Sequence, residues 1–353
     1  MVGLEPTSSE RAADFLGLVH EGHSLTTEQS AALMDAIFAG EVSDDQIAAL
    51  LTSWHDHGET ADEITGLAQS MLAHATRVSA PDGSIDIVGT GGDAKNAVNI
   101  STMAAFVAAG AGVSVIKHGS RASSSSVGSA DVLEALGIKI DCAPVLVERS
   151  VQNAGWGFCF AQAFHPAMKA VAPVRKALGF RTVFNVLGPL VNPAQPPYLL
   201  LGVAEPSLIE PMATALWRSG VRRAWVVHSR DGFDEFSLSA PSDVCEVLGG
   251  SDGAPTLRHF VIDPVTHGFS PIDDDALDGS DAQGNARVLR DVLEGASGPV
   301  ADTVVFNAAA ALVIAGVAQD LDDGVIQARQ AIESGAAVSV LDRVIQLTNA
   351  EAN

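Results

Sequence analysis

Positive charge is what this 353-residue sequence has least of. It carries 20 Lys and Arg against 43 Asp and Glu, a formal net charge of −23. That balance argues against a nucleic-acid or anionic-membrane partner, because both need a basic face. Cysteine is nearly absent too. Cys142, Cys159 and Cys245 are odd in number and far apart, so they build no disulfide framework, metal set or redox pair, and a reducing cytoplasm is expected. No apolar run reaches the ~20 residues of a membrane span. The longest, residues 103–116 and 306–318, are rich in Ala and Gly and read as buried helices or helix-to-strand passages. The first residues, MVGLEPTSSERAADF, are acidic and lack the basic and apolar regions of a secretory signal. A soluble cytoplasmic protein is the expectation.

What is present points to a compact globular protein. Hydrophobic residues make up 47% and charged residues only 18%, and the length allows one large domain plus a smaller one. The few cations are unevenly placed. All five lysines lie between Lys95 and Lys176, and that segment holds eight positive and four negative charges, leaving it +4 inside a −23 chain. Either this is a lysine-poor acidic composition, or an anion site sits in an otherwise repulsive surface.

The first 75 residues or so read as helical. Capping boxes at Thr26…Gln29, Ser43…Gln46 and Thr60…Glu63 each open a run with apolar residues at helical spacing. APDG at 80–83 is a turn. From Ile85 onward short β-rich runs alternate with helical ones, the pattern of a parallel α/β sheet. Strands are predicted at 85–88, 113–117, 198–203, 224–228 and 244–247, and helices at 102–109 and 129–136. More helix interrupts this rhythm over 165–187. The expected division is a small helical domain of 1–79 and about 165–192, and a large α/β domain of 80–164 and 193–353.

Three stretches carry chemistry. Gly89-Thr90-Gly91-Gly92-Asp93 follows a strand, and Asn99-Ile100-Ser101-Thr102 opens a helix. Glycines allow a tight turn that brings N–H groups onto an anion, and a helix N-terminus adds its own. By itself this is equally an ordinary strand-to-helix loop with a cap. Lys117-His118-Gly119 then leads into four serines, 123–126, and Gly128-Ser129 before another helix. A serine run alone reads as surface loop, but two such loops after adjacent strands point to one extended phosphorylated ligand. Asp231-Gly232-Phe233-Asp234-Glu235 offers hard oxygen ligands suited to magnesium, with a solvated acidic turn as the competing reading. His118, His165 and His228 lack zinc-type spacing.

These pieces resemble the anthranilate phosphoribosyltransferase family of tryptophan biosynthesis. The matching motifs are GTGGD, NIST, KHG-x-R, GSADVLEALG, FHPAMK, VRKALGFRTVFNVLGPLVNPA, DGFDE and FNAAAALVIAG, in the family's order and spread over nearly the whole chain. The resemblance implies transfer of phosphoribose from 5-phosphoribosyl pyrophosphate (PRPP) to the amine of anthranilate, with magnesium. It implies a helical domain beside a mainly parallel α/β domain of the nucleoside phosphorylase and phosphoribosyltransferase type, and a homodimer joined through the helical part. Carried over by motif, the donor site is Gly89, Gly92, Asp93, Asn99, Ile100, Ser101, Thr102, Lys117, His118, Gly119, Ser124, Ser125 and Ser129. Acceptor contacts fall to Gly89, Ser120 and Arg175, and metal ligands to Ser101, Asp234 and Glu235.

Three positions depart from the family. Ser120 stands where an asparagine normally contacts anthranilate. Ala97 and Val127 replace a hydroxyl and a serine near the phosphates. Two other readings share the architecture: a pyrimidine-nucleoside phosphorylase and a non-catalytic nucleic-acid-binding relative. The KHG-x-R and GSADVLEALG motifs favour the transferase over the first, and the acidic charge disfavours the second.

Overall fold

A computed structural model describes residues 7–122, 127–249 and 256–350. The helices α1 (Ser8–His20), α2 (Thr27–Phe38), α3 (Asp44–His57) and α4 (Ala61–Ala73) open the chain. All three predicted capping boxes form, and Thr7 with Glu10 makes a fourth that the reading above passed over. Then come β1 (Ile85–Gly89), α5 (Ile100–Gly110), β2 (Val115–Gly119), α6 (Ser129–Ala135), α7 (Pro144–Ala154) and β3 (Trp156–Phe160). The short helices α8 (Ala161–Phe164), α9 (Ala172–Leu178) and α10 (Val183–Leu187) follow. The rest is β4 (Tyr198–Gly202), α11 (Ile209–Arg218), β5 (Arg223–Ser229), β6 (Ser242–Leu248), β7 (Thr256–Ile262), α12 (Ala282–Leu293), α13 (Pro299–Ile314), α14 (Leu321–Glu333) and α15 (Ala336–Asn349).

Among the described residues the strands form one sheet in the order β3-β2-β1-β4-β5-β6-β7. The first five run parallel, and β6 and β7 add antiparallel pairs at one side. Side-chain alternation builds two cores from one sheet. Leu200, Trp225 and Val227 join α5, α12 and α13 on one face. Leu199, Leu201 and Val226 join α2–α4, α10 and α11 on the other. Alanine and glycine let α5 and α13 pack closely, and α13 is buried almost throughout.

Strand order decides where a ligand can sit. The chain steps from β1 outward to β2 and β3, then returns to β4 on the other side of β1. That reversal opens a crevice at the carboxyl ends of β1 and β4, the usual ligand position in open α/β sheets. Gly89 pairs in register with Gly202 there.

Candidate active site

Three loops meet at this crevice. The first leaves β1 through Gly91 and Gly92, whose φ angles of 66° and 82° are left-handed and suit glycine. Ala94 and Asn96 also take positive φ, 58° and 50°. The loop is pinned from behind, with Gly279 N–H donating to Asn96 O at 2.8 Å and Val98 N–H to Leu277 O at 2.9 Å. Asn99 occupies the cap position of α5 without making a capping hydrogen bond. Its Nδ2 instead donates to Val127 O at 3.1 Å, and its Oδ1 accepts from Asn285 Nδ2 at 3.1 Å. Asn99 therefore ties the first loop to the second. Ile100 lies in the core and its N–H is given to Val98 O at 2.7 Å. Thr102 is buried with an unpartnered hydroxyl.

The second loop follows β2. Lys117 is 2% exposed, and its ammonium donates to Ile87 O and to Ser101 Oγ, the latter at 3.3 Å. Beneath it the wholly buried Asp86 accepts from His118 N–H and from Asn192 Nδ2, the latter at 2.8 Å. The His118 ring places Nδ1 on Gly188 O at 3.0 Å and packs edge-to-face with His165, ring centroids 5.2 Å apart. Burial holds the His118 pKa down to about 3, so the ring is neutral. Gly119 has no room for a side chain, because Ser129 Oγ stands against it. Ser120 gives its hydroxyl to Arg121 O at 2.9 Å. Arg121 is occupied by Asp131 and Glu134, at 3.1 and 2.5 Å. Ser124 and Ser125 lie outside the described residues.

The third loop joins β5 to β6 and folds Asp234 back over both strand ends. A side-chain carbon on Gly89 or on Gly202 would strike Asp234, so Gly89 makes room for its carboxylate and Gly202 for its backbone. Asp234 Oδ2 accepts from Gly91 N–H at 2.6 Å, and Glu235 Oε1 from Ser101 N–H at 3.0 Å. Three carboxyls thus crowd one spot. Burial raises the Asp234 pKa to about 7, with Asp93 adding repulsion. Glu235 is pushed well up by burial and then by Asp234, and Asp93 is raised by burial. Burial pulls Lys117 down, opposed by Asp86, Glu235 and Asp234.

This donor set fits magnesium. Hard carboxylate oxygens that are costly to ionise together invite a divalent cation. Among the described residues, no three His, Cys, Asp or Glu side chains converge to hold a metal alone. Magnesium usually takes one or two carboxylates and completes its shell from water and substrate phosphates.

Arg175 lies on α9. Its guanidinium lies 5.2 Å from the Phe184 ring and makes no ion pair among the described residues. The other cations of the +4 segment do not gather here: Lys139, Arg149, Lys169 and Lys176 are exposed. Motif reading passed over Asp86, Asn192, Asn285 and Arg181. The first three act behind the loops, and no local pattern marks such partners. Arg181 rests directly on Gly92.

The helical-bundle domain model of the glycosyl transferase family matches residues 13–75, and that family's a/b domain model matches residues 82–338. The chain is 52% identical over 331 residues to the anthranilate phosphoribosyltransferase of Thermomicrobium roseum, covering 93% of this chain and 94% of that one. It is 47% identical over 349 residues to that of Rhodospirillum rubrum, covering 99% of each. The crystal structure of anthranilate phosphoribosyltransferase from Thermus thermophilus superposes with a TM-score of 0.88 at 41% identity, over 96% of this chain and all of that one. The Saccharomyces cerevisiae enzyme in complex with PRPP and Mg gives a TM-score of 0.80 at 27% identity, over 97% of this chain and 93% of that one.

Proposed function

The chain belongs to the anthranilate phosphoribosyltransferases of the glycosyl transferase family, and from that premise we propose how its crevice works. It transfers phosphoribose from PRPP to the amine of anthranilate and releases pyrophosphate. The observation that carries this reading is the meeting of the Gly89–Asp93 loop, the Lys117–Ser120 loop and the Asp234–Glu235 carboxylates at one strand-end crevice.

Displacement at the anomeric carbon builds positive charge on the ribose as pyrophosphate leaves with negative charge. Loop N–H groups and the Lys117 ammonium meet that leaving group, and fixed donors aimed at developing charge supply much of such catalysis. Ser101, Asp234 and Glu235 would hold magnesium, which when bound neutralises charge on the pyrophosphate. The aromatic amine is already a nucleophile, so no strong base is required. Arg175 is suited to the acceptor's carboxylate, since a guanidinium fork matches it. Gly89, with no side chain, lets the Asp234 carboxylate lie against the end of β1, at the boundary between donor and acceptor.

The same reading divides the chain into a helical unit of 1–79 and about 165–192 and an α/β unit of 80–164 and 193–353. Supporting it, α9 and α10 pack on α3 and α4. A homodimer through the helical unit and a cytoplasmic location also belong to the proposal. No helix among the described residues is long and apolar enough to cross a membrane. The test is a coupled assay with PRPP, anthranilate and magnesium, read by consumption of anthranilate and release of pyrophosphate. Turnover that needs all three supports the reading. Phosphorolysis of a pyrimidine nucleoside without anthranilate turnover overturns it.

A further inference from the structure

Arg181 belongs to the segment between α9 and α10 that packs on the N-terminal helices, yet its guanidinium crosses to the first loop of the α/β sheet. A side-chain carbon built on Gly92 would fall on Nη1 and Cζ of Arg181. Gly92 takes a left-handed φ of 82°, and the guanidinium occupies the space that a side chain there would fill. Among the described residues Arg181 makes no hydrogen bond and no ion pair. Its charged neighbours are Asp234 on the sheet side and Glu59 on the helical side, both within electrostatic reach. A half-buried guanidinium cannot shed its charge, and it carries five donors that need acceptors. The carboxylates close to it are not bonded to it, so its donors are open to a further acceptor.

Arg175 on α9 and Arg181 just beyond its end part company. Arg175 lies over the Phe184 ring. Arg181 lies on the loop whose backbone turns through Gly91, Gly92 and Asp93. We propose that Arg181 is a donor ligand, its planar fork taking phosphoryl oxygens of the pyrophosphate held by the Gly91–Asp93 loop. The inference rests on the donor reading of the loops above and adds a cation that reaches them from the helical side. Guanidinium suits phosphate through paired hydrogen bonds. Because negative charge grows on the pyrophosphate as the bond to ribose breaks, Arg181 also favours departure of that group.

The experiment is calorimetric titration of magnesium pyrophosphate, and separately PRPP, into wild type, Arg181→Gln and Arg181→Lys. It is paired with thermal unfolding and with the Michaelis constant for anthranilate at saturating PRPP. Arg181→Gln should raise the pyrophosphate dissociation constant about ten- to a hundredfold, the loss expected for hydrogen bonds to a charged group. Its melting temperature and its Michaelis constant for anthranilate should stay near wild type, and Arg181→Lys should recover part of the affinity. Wild-type pyrophosphate affinity in Arg181→Gln overturns the inference, and so does a rise confined to the anthranilate constant. Should the glutamine variant fail to fold, Arg181→Lys decides alone: several-fold weaker binding supports the fork, and wild-type affinity overturns it. Wild type that binds neither PRPP nor pyrophosphate with magnesium overturns the donor reading and this inference together. Binding in wild type with no change in the variants overturns only Arg181.

Discussion

On the proposed reading, single residues set which acceptor the crevice would take, and Ser120 is the clearest case. Its hydroxyl is spent on the neighbouring Arg121 carbonyl at 2.9 Å, so it does not present the paired donor and acceptor of an asparagine amide. A missing direct hydrogen bond costs ~0.5–1.5 kcal/mol, up to about tenfold in affinity. Ser120→Asn should therefore lower the Michaelis constant for anthranilate by no more than about tenfold. It should also narrow the range of ring-substituted anthranilates that react. Loss of all activity in that variant would mean the pocket is built for a different amine. Arg175→Ala belongs to the same scale. The structure pairs this arginine with an aromatic ring and with no carboxylate among the described residues, which removes the structural ion pair as its main role. Acceptor use should fall about tenfold or more while PRPP affinity holds, as expected when a charged hydrogen bond is lost. A rise only in the PRPP constant contradicts that role.

At the scale of elements, caps and buried carboxylates set how the helical part holds together. Glu63 closes the capping box of α4 through Thr60, and it also accepts from Leu25 N–H at 3.1 Å and Trp54 Nε1 at 3.0 Å. Every group facing its two oxygens in these bonds can donate. Glu63→Gln turns an NH₂ toward donors, leaves at least one buried group unpaired, and should cost about 1–3 kcal/mol. The midpoint of urea unfolding should fall accordingly. An unchanged midpoint would show that these bonds are remade elsewhere. This element was legible in the sequence because a capping box is a local pattern of residues three apart. The strands β1, β2, β4, β5 and β6 were legible for a related reason, each being a short apolar run bounded by turn residues. By contrast β7, reading TLRHFVI, is an outer strand with mostly exposed side chains, so no apolar alternation announces it. β3 reads WGFCF and is entered directly from α7 through the left-handed Gly155, with no polar turn to set it off. The loops of the candidate site were legible where glycines and carboxylates cluster in sequence. Asp86, Asn192, Asn285 and Arg181 reach it through tertiary packing that no spacing rule encodes.

The whole molecule carries a pH signature set by what it buries. Burial raises Asp234 and Glu59 to about 7 and Asp86 to about 6, and it also raises Asp93 and Glu235. Ordinary carboxyls titrate near ~4. As pH climbs from there toward 7, the unfolded chain gives up protons that the folded chain keeps, so these groups make stability fall with rising pH. His118 and His165 act in the opposite sense. Burial holds them at about 3 and about 4, so their contribution is complete above ~6.5 and is lost as pH falls below it. Five raised acids outweigh two lowered histidines. The ligand-free protein should therefore melt at a higher temperature at pH 5.5 than at pH 7.5. The net charge of −23 adds general repulsion of the same sign, but ~0.5 M salt screens exposed charges and leaves buried groups largely untouched. The difference should thus survive added salt. On the proposed reading saturating magnesium and PRPP should shrink or reverse it, since a cation held by Asp234 and Glu235 would favour their ionised form and bind more tightly at the higher pH. Thermal unfolding at the two pH values, with and without salt and ligands, tests each step. A ligand-free melting temperature that rises steadily from pH 5.5 to 7.5 would mean that the crevice carboxylates are already ionised and compensated, and that the need for a cation argued here is wrong.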